Sequence, residues 1–315
     1  MKNIYSNIYS FDKKTLKKTI KSLNLGNIAS LPTETVYGLA GNAYSNKAVS
    51  KIFKLKKRPK KNPIIIHYYD KKYIDDDVIL NKYFLKLYKK LCPGPITFIL
   101  KRNKKSKINS MATANLATVA IRFPRHRVLR TILKSLNYPL AMPSANISSG
   151  LSPVSSVDVY DEFKQKINII INGGKSKIGI ESTVVDLSGK PKILRPGIIS
   201  SDEIKKILKM KLSKDKTNIK APGMLKKHYS PGIPIVLGQK PKNSNQAYIF
   251  FGKKLKKRNN YFNLSKKGNL KEAAANLYKI MRKIKNAGYK KIFVSKIPNL
   301  GPGIAINDRL KRASK

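Results

Sequence analysis

Short apolar runs of strand character alternate with amphipathic helical stretches along most of this 315-residue chain, and one polar, Pro- and Gly-studded segment interrupts them. That alternation is the tightest constraint on the fold, because strands and helices of this kind must cover one another to bury their apolar faces. In residues 11–24, Leu16, Ile20 and Leu23 recur at helical spacing beneath a Lys-rich outer face, and Gly26 offers a stop. The stretch 28–43, IASLPTETVYGLAGNA, reads as a strand, a turn at Pro32 and then a helix. Residues 46–57 read as a helix ended by Pro59, and 64–67 as a short buried strand. Further strands are expected at 97–100, 117–122, 167–171, 183–186 and 192–195, with helices near 79–91, 125–136 and 201–210. The expected class is α/β, a twisted mixed sheet with flanking helices, followed by a small C-terminal α/β domain.

The interruption is residues 211–234, KLSKDKTNIKAPGMLKKHYSPGIP, where Pro222, Gly223, Pro231, Gly232 and Pro234 resist regular structure. It is expected to be a linker between a larger domain, 1–210, and a smaller one, 235–315. In the smaller one a strand at 247–251, a helix at 270–287, a strand at 291–295 and a helix at 303–313 are expected. No repeat of 20–50 residues is visible.

Charge is the loudest feature, with 67 Lys and Arg against 16 Asp and Glu for a net +51. Read functionally, it is an electrostatic footprint for nucleic acid. The skew toward Lys, with abundant Ile and Asn, is also what an AT-rich coding sequence imposes on a solvated surface. Residues 101–200, which hold much of the motif chemistry, carry 17 basic and only 5 acidic residues, so the excess lies elsewhere. The single Cys92 argues against a disulfide framework or a cysteine zinc site, and a cytoplasmic setting is expected. The N-terminal MKNIYSNIYSFDKK lacks the apolar core of a secretory signal, and no apolar run has bilayer-spanning length, so no membrane role is expected.

Metal and nucleophile templates find no match. His67, His126 and His228 are scattered, and neither a nucleophile elbow nor a Walker loop is present. Five polar clusters in Gly/Pro-rich turns remain. Thr33–Glu34–Thr35 offers two hydroxyls and a carboxylate beside a strand end, for a small ligand or for a helix cap. Lys56 and Arg58, turned by Pro59 and followed by Asn62, are able to converge on phosphate oxygens, or to be a solvated charge cluster. Arg122 ends the apolar run Thr118–Val119–Ala120–Ile121 and must face an anion, either a ligand carboxylate or an internal Asp or Glu. Ser144 and Asn146, with Ser148, Ser149, Gly150 and Ser152 behind them, form a small-residue loop suited to a phosphate nest or to a simple polar turn. Glu181–Ser182 leads into a strand, and Arg195 adds another isolated cation.

The order and spacing of PTETVYGL, K-x-R-P-x-x-N-P, PGPITFIL, TVAIRFP, PSAN, GIESTVVD, LRPG, APGMLKKHYSP and AINDRL resemble the YrdC-like family, in its long two-domain form, the threonylcarbamoyl-AMP synthases. The resemblance covers roughly residues 15–315. It implies a nucleotidyltransferase that makes L-threonylcarbamoyladenylate and pyrophosphate from L-threonine, bicarbonate (as CO2) and ATP. A downstream tRNA threonylcarbamoyl transferase then modifies the adenosine beside the anticodon, tRNA position 37. It further implies that Thr35, His67, Arg122, Ser182 and backbone near Met142 hold threonine, with Arg122 on its carboxylate. Lys56, Arg58, Ser144 and Asn146 match the family's catalytic tetrad. Asn62, Thr118, Ser152 and Arg195 match further ATP contacts, and His228 and Tyr229 would close on the nucleotide as part of a lid. Mg2+ is expected only with ATP, with no protein metal site. Lys57 stands where a small residue is usual, Lys227 where Arg commonly precedes His-Tyr, and Leu151 and Val154 where Pro and Thr are frequent. The rival from another class is a double-stranded RNA or tRNA-binding module without turnover, suggested by the charge.

Overall fold

The protein is described by a computed structural model that covers residues 5–213, 228–253 and 258–315. Residues 214–227 of the expected linker, Lys227 included, lie outside the described residues.

The larger sheet holds β1 (Ile8–Ser10), β2 (Ala29–Leu31), β3 (Gly38–Asn42), β4 (Ile65–His67), β5 (Val78–Ile79), β6 (Ile96–Arg102), β7 (Thr118–Arg122), β8 (Leu140–Ala141), β9 (Ile170–Asn172), β10 (Thr183–Asp186) and β11 (Lys192–Arg195). Its spatial order is β1-β9-β2-β3-β8-β4-β7-β6-β10-β11, with β5 paired to β6 off that path, and parallel and antiparallel neighbours are mixed. Around it lie α1 (Lys13–Asn24), α2 (Asn46–Lys56), α3 (Lys82–Leu91), α4 (Arg127–Lys134), α5 (Ser156–Phe163) and α6 (Ser201–Leu208). The smaller unit is a parallel sheet of β12 (Ile235–Leu237), β13 (Ala247–Phe250), β14 (Tyr261–Asn263) and β15 (Ile292–Val294) in the order β12-β15-β13-β14, with α7 (Leu270–Asn286) and α8 (Pro302–Ala313). The expected α/β class, a twisted mixed sheet plus a small C-terminal α/β unit, is what the chain adopts.

Two expectations change. The segment after the turn at Pro32 is not a helix but β3, which pairs antiparallel with β2, Ala29 opposite Ala40. Glycine decides this: a Cβ on Gly38 would meet Met142 Cε at 2.5 Å, and one on Gly41 would meet Ala48 Cβ at 3.1 Å, so bare backbone lets β8 and α2 pack close. The smaller unit also carries β12 and β14, which hydropathy did not separate from their polar surroundings. Between 151 and 167, a stretch with no element expected from the sequence, Ser155 and Asp158 form a reciprocal capping box that opens α5.

Helix α2 shows how local chemistry aims a site residue. Ser45 caps its start by accepting from the Ala48 N–H at 3.2 Å. At its end Lys57 takes left-handed backbone, φ 50°, and the Arg58 N–H closes onto the Phe53 carbonyl at 3.0 Å. A small residue would adopt that conformation at lower cost, which gives the Lys57 departure a backbone meaning. The turn sends Arg58 back under the sheet, where Nε donates to the Asn62 carbonyl at 2.9 Å and Nη2 to the Pro63 carbonyl at 2.5 Å.

The core is not confined to the larger unit. One apolar cluster joins Val36, Leu151, Val154 and Ile180 to Tyr229, Leu277, Tyr278, Ile306 and Leu310, so the two units share buried surface.

Candidate active site

Neighbouring strands gather the site. β4 and β7 run parallel with His67 opposite Arg122, and β8 lies antiparallel on the other side of β4, with the Met142 N–H donating to the Ile65 carbonyl at 3.0 Å. Ile65 and His67, two residues apart on β4, share the face of the sheet that bounds the cavity. The loop from Pro32 to Tyr37 arches over it. Thr33 Oγ1 accepts from the N–H groups of Thr35 and Val36 at 3.0 and 3.1 Å, and Tyr37 donates its hydroxyl to the Gly174 carbonyl at 2.7 Å. The resulting cavity is partly open to solvent. Thr35, Arg58, His67, Arg122, Met142, Ser144, Ser182, Arg195, His228 and Tyr229 all line it, drawn from sequence segments far apart.

Arg122 is the anchor of one wall. Its Nη1 donates to Thr35 Oγ1 at 2.9 Å and its Nη2 to Glu34 Oε1 at 2.8 Å, both buried. The internal-acid alternative for Arg122 is therefore realised, and Glu34 caps no helix. Burial opposes charge on Glu34, but Arg122 outweighs it and keeps that carboxyl below the ordinary range. Beside them His67 is buried, and burial together with the Arg122 charge holds its pKa well below the ordinary value, so the imidazole is neutral.

The opposite wall is cationic. Lys56 is 1% exposed and donates Nζ to the carbonyls of Ser144, at 2.6 Å, and Asn146. It thus holds the loop that presents Ser144 to the cavity and does not itself line it. Burial, then Arg58, pulls the Lys56 pKa well down. Arg58 is brought down to about 9 by burial and by Arg195. Asn146 fixes the same loop through its side-chain amide, which donates to the Ile147 and Gly150 carbonyls at 2.6 and 3.0 Å.

Between the walls, Ser182 Oγ lies 2.8 Å from Thr97 Oγ1 and accepts from Arg195 Nη2 at 3.1 Å. Thr97 is the strand partner of Arg122, so one hydrogen-bonded row crosses the sheet under the cavity. Glu181, which also lines the cavity, receives Ser152 Oγ at 2.5 Å and Arg309 Nε at 2.9 Å. Burial raises the Glu181 pKa, yet Arg309 and Arg195 bring it to about 2. His228 and Tyr229 close the far side. Burial lowers His228 to about 3, and Tyr229 has left-handed backbone, φ 64°.

Five of the expected site residues stand behind the lining. Lys56 and Asn146 brace the Ser144 loop, as above. Asn62 is buried and supplies a carbonyl to Arg58. Ser152 is engaged by Glu181. Thr118 starts β7, two residues before the Ala120 that faces Ile65, and so stands beyond the opposite end of β4 from His67. Glu181, Tyr37, Tyr278 and Arg309 went unassigned in the sequence. The one signal for Glu181 was a carboxylate heading an apolar strand, and AINDRL placed Arg309 in a motif without a role.

Among the described residues no group of three or more His, Cys, Asp or Glu is placed to hold a metal ion, and Glu181, which lines the cavity, and Glu34, behind its wall, are each engaged by an arginine. Nor is any helix long and apolar enough to cross a membrane.

A cavity on one face of the sheet, with a buried arginine held between a threonine and a glutamate and two further arginines beyond a serine, defines an α/β protein built to bring two small polar ligands together. Residues 21–197 match the Sua5/YciO/YrdC family, described as "Telomere recombination", and residues 199–315 match "Threonylcarbamoyl-AMP synthase, C-terminal domain". The chain belongs to the Sua5/YciO/YrdC family, in the long form that carries this C-terminal domain. It is 34% identical to threonylcarbamoyl-AMP synthase of Pyrococcus abyssi, covering 92% of this chain and 91% of that one. Against threonylcarbamoyl-AMP synthase of Bacillus subtilis the identity is 32%, over 91% and 89%. The crystal structure of P. abyssi Sua5 complexed with L-threonine superposes with a TM-score of 0.89 at 31% identity, over 98% of this chain and 97% of that one. Escherichia coli YciO, with a TM-score of 0.55 at 20% identity over 61% of this chain and 96% of that one, shares the fold of the larger unit.

Proposed function

We propose that this chain is an L-threonylcarbamoyladenylate synthase acting on L-threonine, bicarbonate-derived CO2 and ATP. The threonine amine adds to CO2 and loses a proton to give an N-carboxylate. One carboxylate oxygen then attacks the α-phosphorus of ATP, and the bond to pyrophosphate breaks. No protein nucleophile enters this scheme, and catalysis is positioning plus charge stabilisation. The observation that carries the reading is the placement of Arg122 and Ser182 in one cavity with Arg58 and Arg195.

In this reading Thr35, Arg122, Ser182 and the Met142 backbone hold threonine, and neutral His67 lies beside them without competing for the amine's proton. Arg58, Ser144 and Arg195 face the triphosphate, with Lys56 and Asn146 fixing their loop. Asn62, Thr118 and Ser152 serve the nucleotide from behind the lining, and His228 and Tyr229 shut water from a hydrolysable mixed anhydride. Mg2+ enters as the companion of ATP, held by phosphates and water. Residues 1–210 form the catalytic unit, 211–234 the tether and 235–315 the C-terminal unit. The product passes to a tRNA threonylcarbamoyl transferase in the cytoplasm.

The test is pyrophosphate release that depends on both threonine and bicarbonate, with the adduct identified by mass spectrometry. Turnover that ignores threonine overturns the reading. Tight RNA binding with a steep salt slope and no turnover would instead support the RNA-binding rival, against which the family membership already stands.

A further inference from the structure

The C-terminal unit meets the cavity-lining Glu181 through two side chains, Arg309 and Tyr278. Arg309, on α8, is 1% exposed and is the largest side chain buried to that extent. Its Nε donates to Glu181 Oε2 at 2.9 Å, its Nη1 to Asp308 at 2.8 Å, and its guanidinium lies 5.0 Å from the centre of the Tyr229 ring. Tyr278, on α7, donates its hydroxyl to the same Glu181 at 3.0 Å and stacks on Tyr229 with ring centres 5.9 Å apart. Glu181 and Tyr229 both line the cavity, and Glu181 directly precedes Ser182.

The surroundings sharpen the point. Val36, Leu151, Ile180, Ile306 and Leu310 make this inter-unit cluster otherwise apolar. A buried ion pair in such a place seldom adds stability over apolar groups of the same volume, because both charges lose their hydration. Its use is to fix geometry: one rigid guanidinium held by two carboxylates, Glu181 at Nε and Asp308 at Nη1, sets direction, and its face toward an aromatic ring sets distance. We infer that Arg309 is a positioning residue for the active site, holding Glu181 and Tyr229 so that their chain neighbours Ser182 and His228 keep their places in the cavity wall. The C-terminal unit then belongs to the substrate pocket's support and is more than an appendage. This inference rests on the synthase reading.

The experiment compares full-length wild type with R309K, R309M, Y278F and the double variant E181Q/R309M. Steady-state KM and kcat are measured for threonine and ATP, and calorimetry reads binding of L-threonine and of ATP independently of turnover. R309M and the double variant are expected to raise KM and weaken binding about tenfold or more, with kcat changed less than about threefold. R309K should recover part of the loss, and Y278F should show a smaller shift in the same direction. A folded double variant with wild-type KM and affinity overturns the inference, because removing both charges restores everything except the positioning. If R309M does not fold, the double variant and Y278F decide, and unchanged affinity in both counts against it. Wild type that binds both ligands but releases no pyrophosphate refutes the synthase reading, while the binding shifts still decide the role of Arg309.

Discussion

Arg122 and Glu34 form an ion pair at 2.8 Å with side chains only 5% and 11% exposed. The pair locks the end of β7 to the arching loop, and the second arm of the same guanidinium holds Thr35. One residue therefore sets the shape of the amino-acid wall and supplies its charge.

Arg122→Lys keeps the cation but loses the fork, since an ammonium is a point donor. We expect kcat/KM for threonine to fall by about 10- to 100-fold, corresponding to loss of a charge-assisted hydrogen bond of about 1.5–3 kcal/mol. Arg122→Met leaves Glu34 buried without its cation, with the Arg125 backbone N–H still donating to it, and should cost about 3–5 kcal/mol in denaturant titrations. A methionine variant as stable as wild type would show that Glu34 finds another partner.

Lys56 carries two opposed terms. Its ammonium satisfies the Ser144 and Asn146 carbonyls, yet it is buried at the expense of hydration and has no carboxylate contact. Lys56→Met should therefore abolish pyrophosphate release while moving the unfolding free energy by less than about 1–2 kcal/mol, because lost hydrogen bonds and recovered desolvation offset. Activity near wild type would remove Lys56 from the machinery.

Acid should loosen the junction between the units in two stages. His228 is held at about 3 against an ordinary 6.5, so its buried neutral form loses stability as pH falls below 6.5 toward 3. Glu181 is held at about 2 against an ordinary 4.5, so its contribution is full above 4.5 and is lost as pH falls toward 2. Guanidinium melts at pH 7, 5.5 and 4 should show falling stability across the series. His228→Asn should flatten the curve from 7 to 4, leaving only the smaller Glu181 loss that begins near 4.5. A wild-type curve flat over that whole range contradicts both assignments.

Two glycines separate stability from binding. A Cβ on Gly197 would lie 2.4 Å from the Thr183 backbone nitrogen, where nothing yields cheaply, so Gly197→Ala should destabilise by about 2 kcal/mol or more. At Gly38 the nearest atoms belong to the flexible Met142 side chain, at 2.5 Å. Gly38→Ala should therefore fold, displace Met142, and weaken threonine binding measured by calorimetry. The reverse ranking would mean that the Met142 side chain cannot yield.

Legibility followed the range of the interactions. β10 and β11 were readable at 183–186 and 192–195 because branched apolar residues sit between turn formers. β3 was not, since its glycines carry no strand signal and its pairing with β2 and β8 decides its state. The residue types of the site were visible as motifs, but their partners were not. Glu34 meets Arg122 across 88 residues and Glu181 meets Arg309 across 128, and no local pattern records such a choice. For the same reason the grip of Lys56 on the carbonyls of Ser144 and Asn146, 88 and 90 residues away, left no mark on the local pattern.

The cavity's walls come from positions between 33 and 229, and the side chain that grips Glu181 sits at 309. A ribosome delivers these pieces in order, so residues 33–229 leave it before α8 does. On the inference that Arg309 positions Glu181, a chain that stops between Tyr229 and Arg309 should carry every wall residue of the cavity without the grip that α8 supplies.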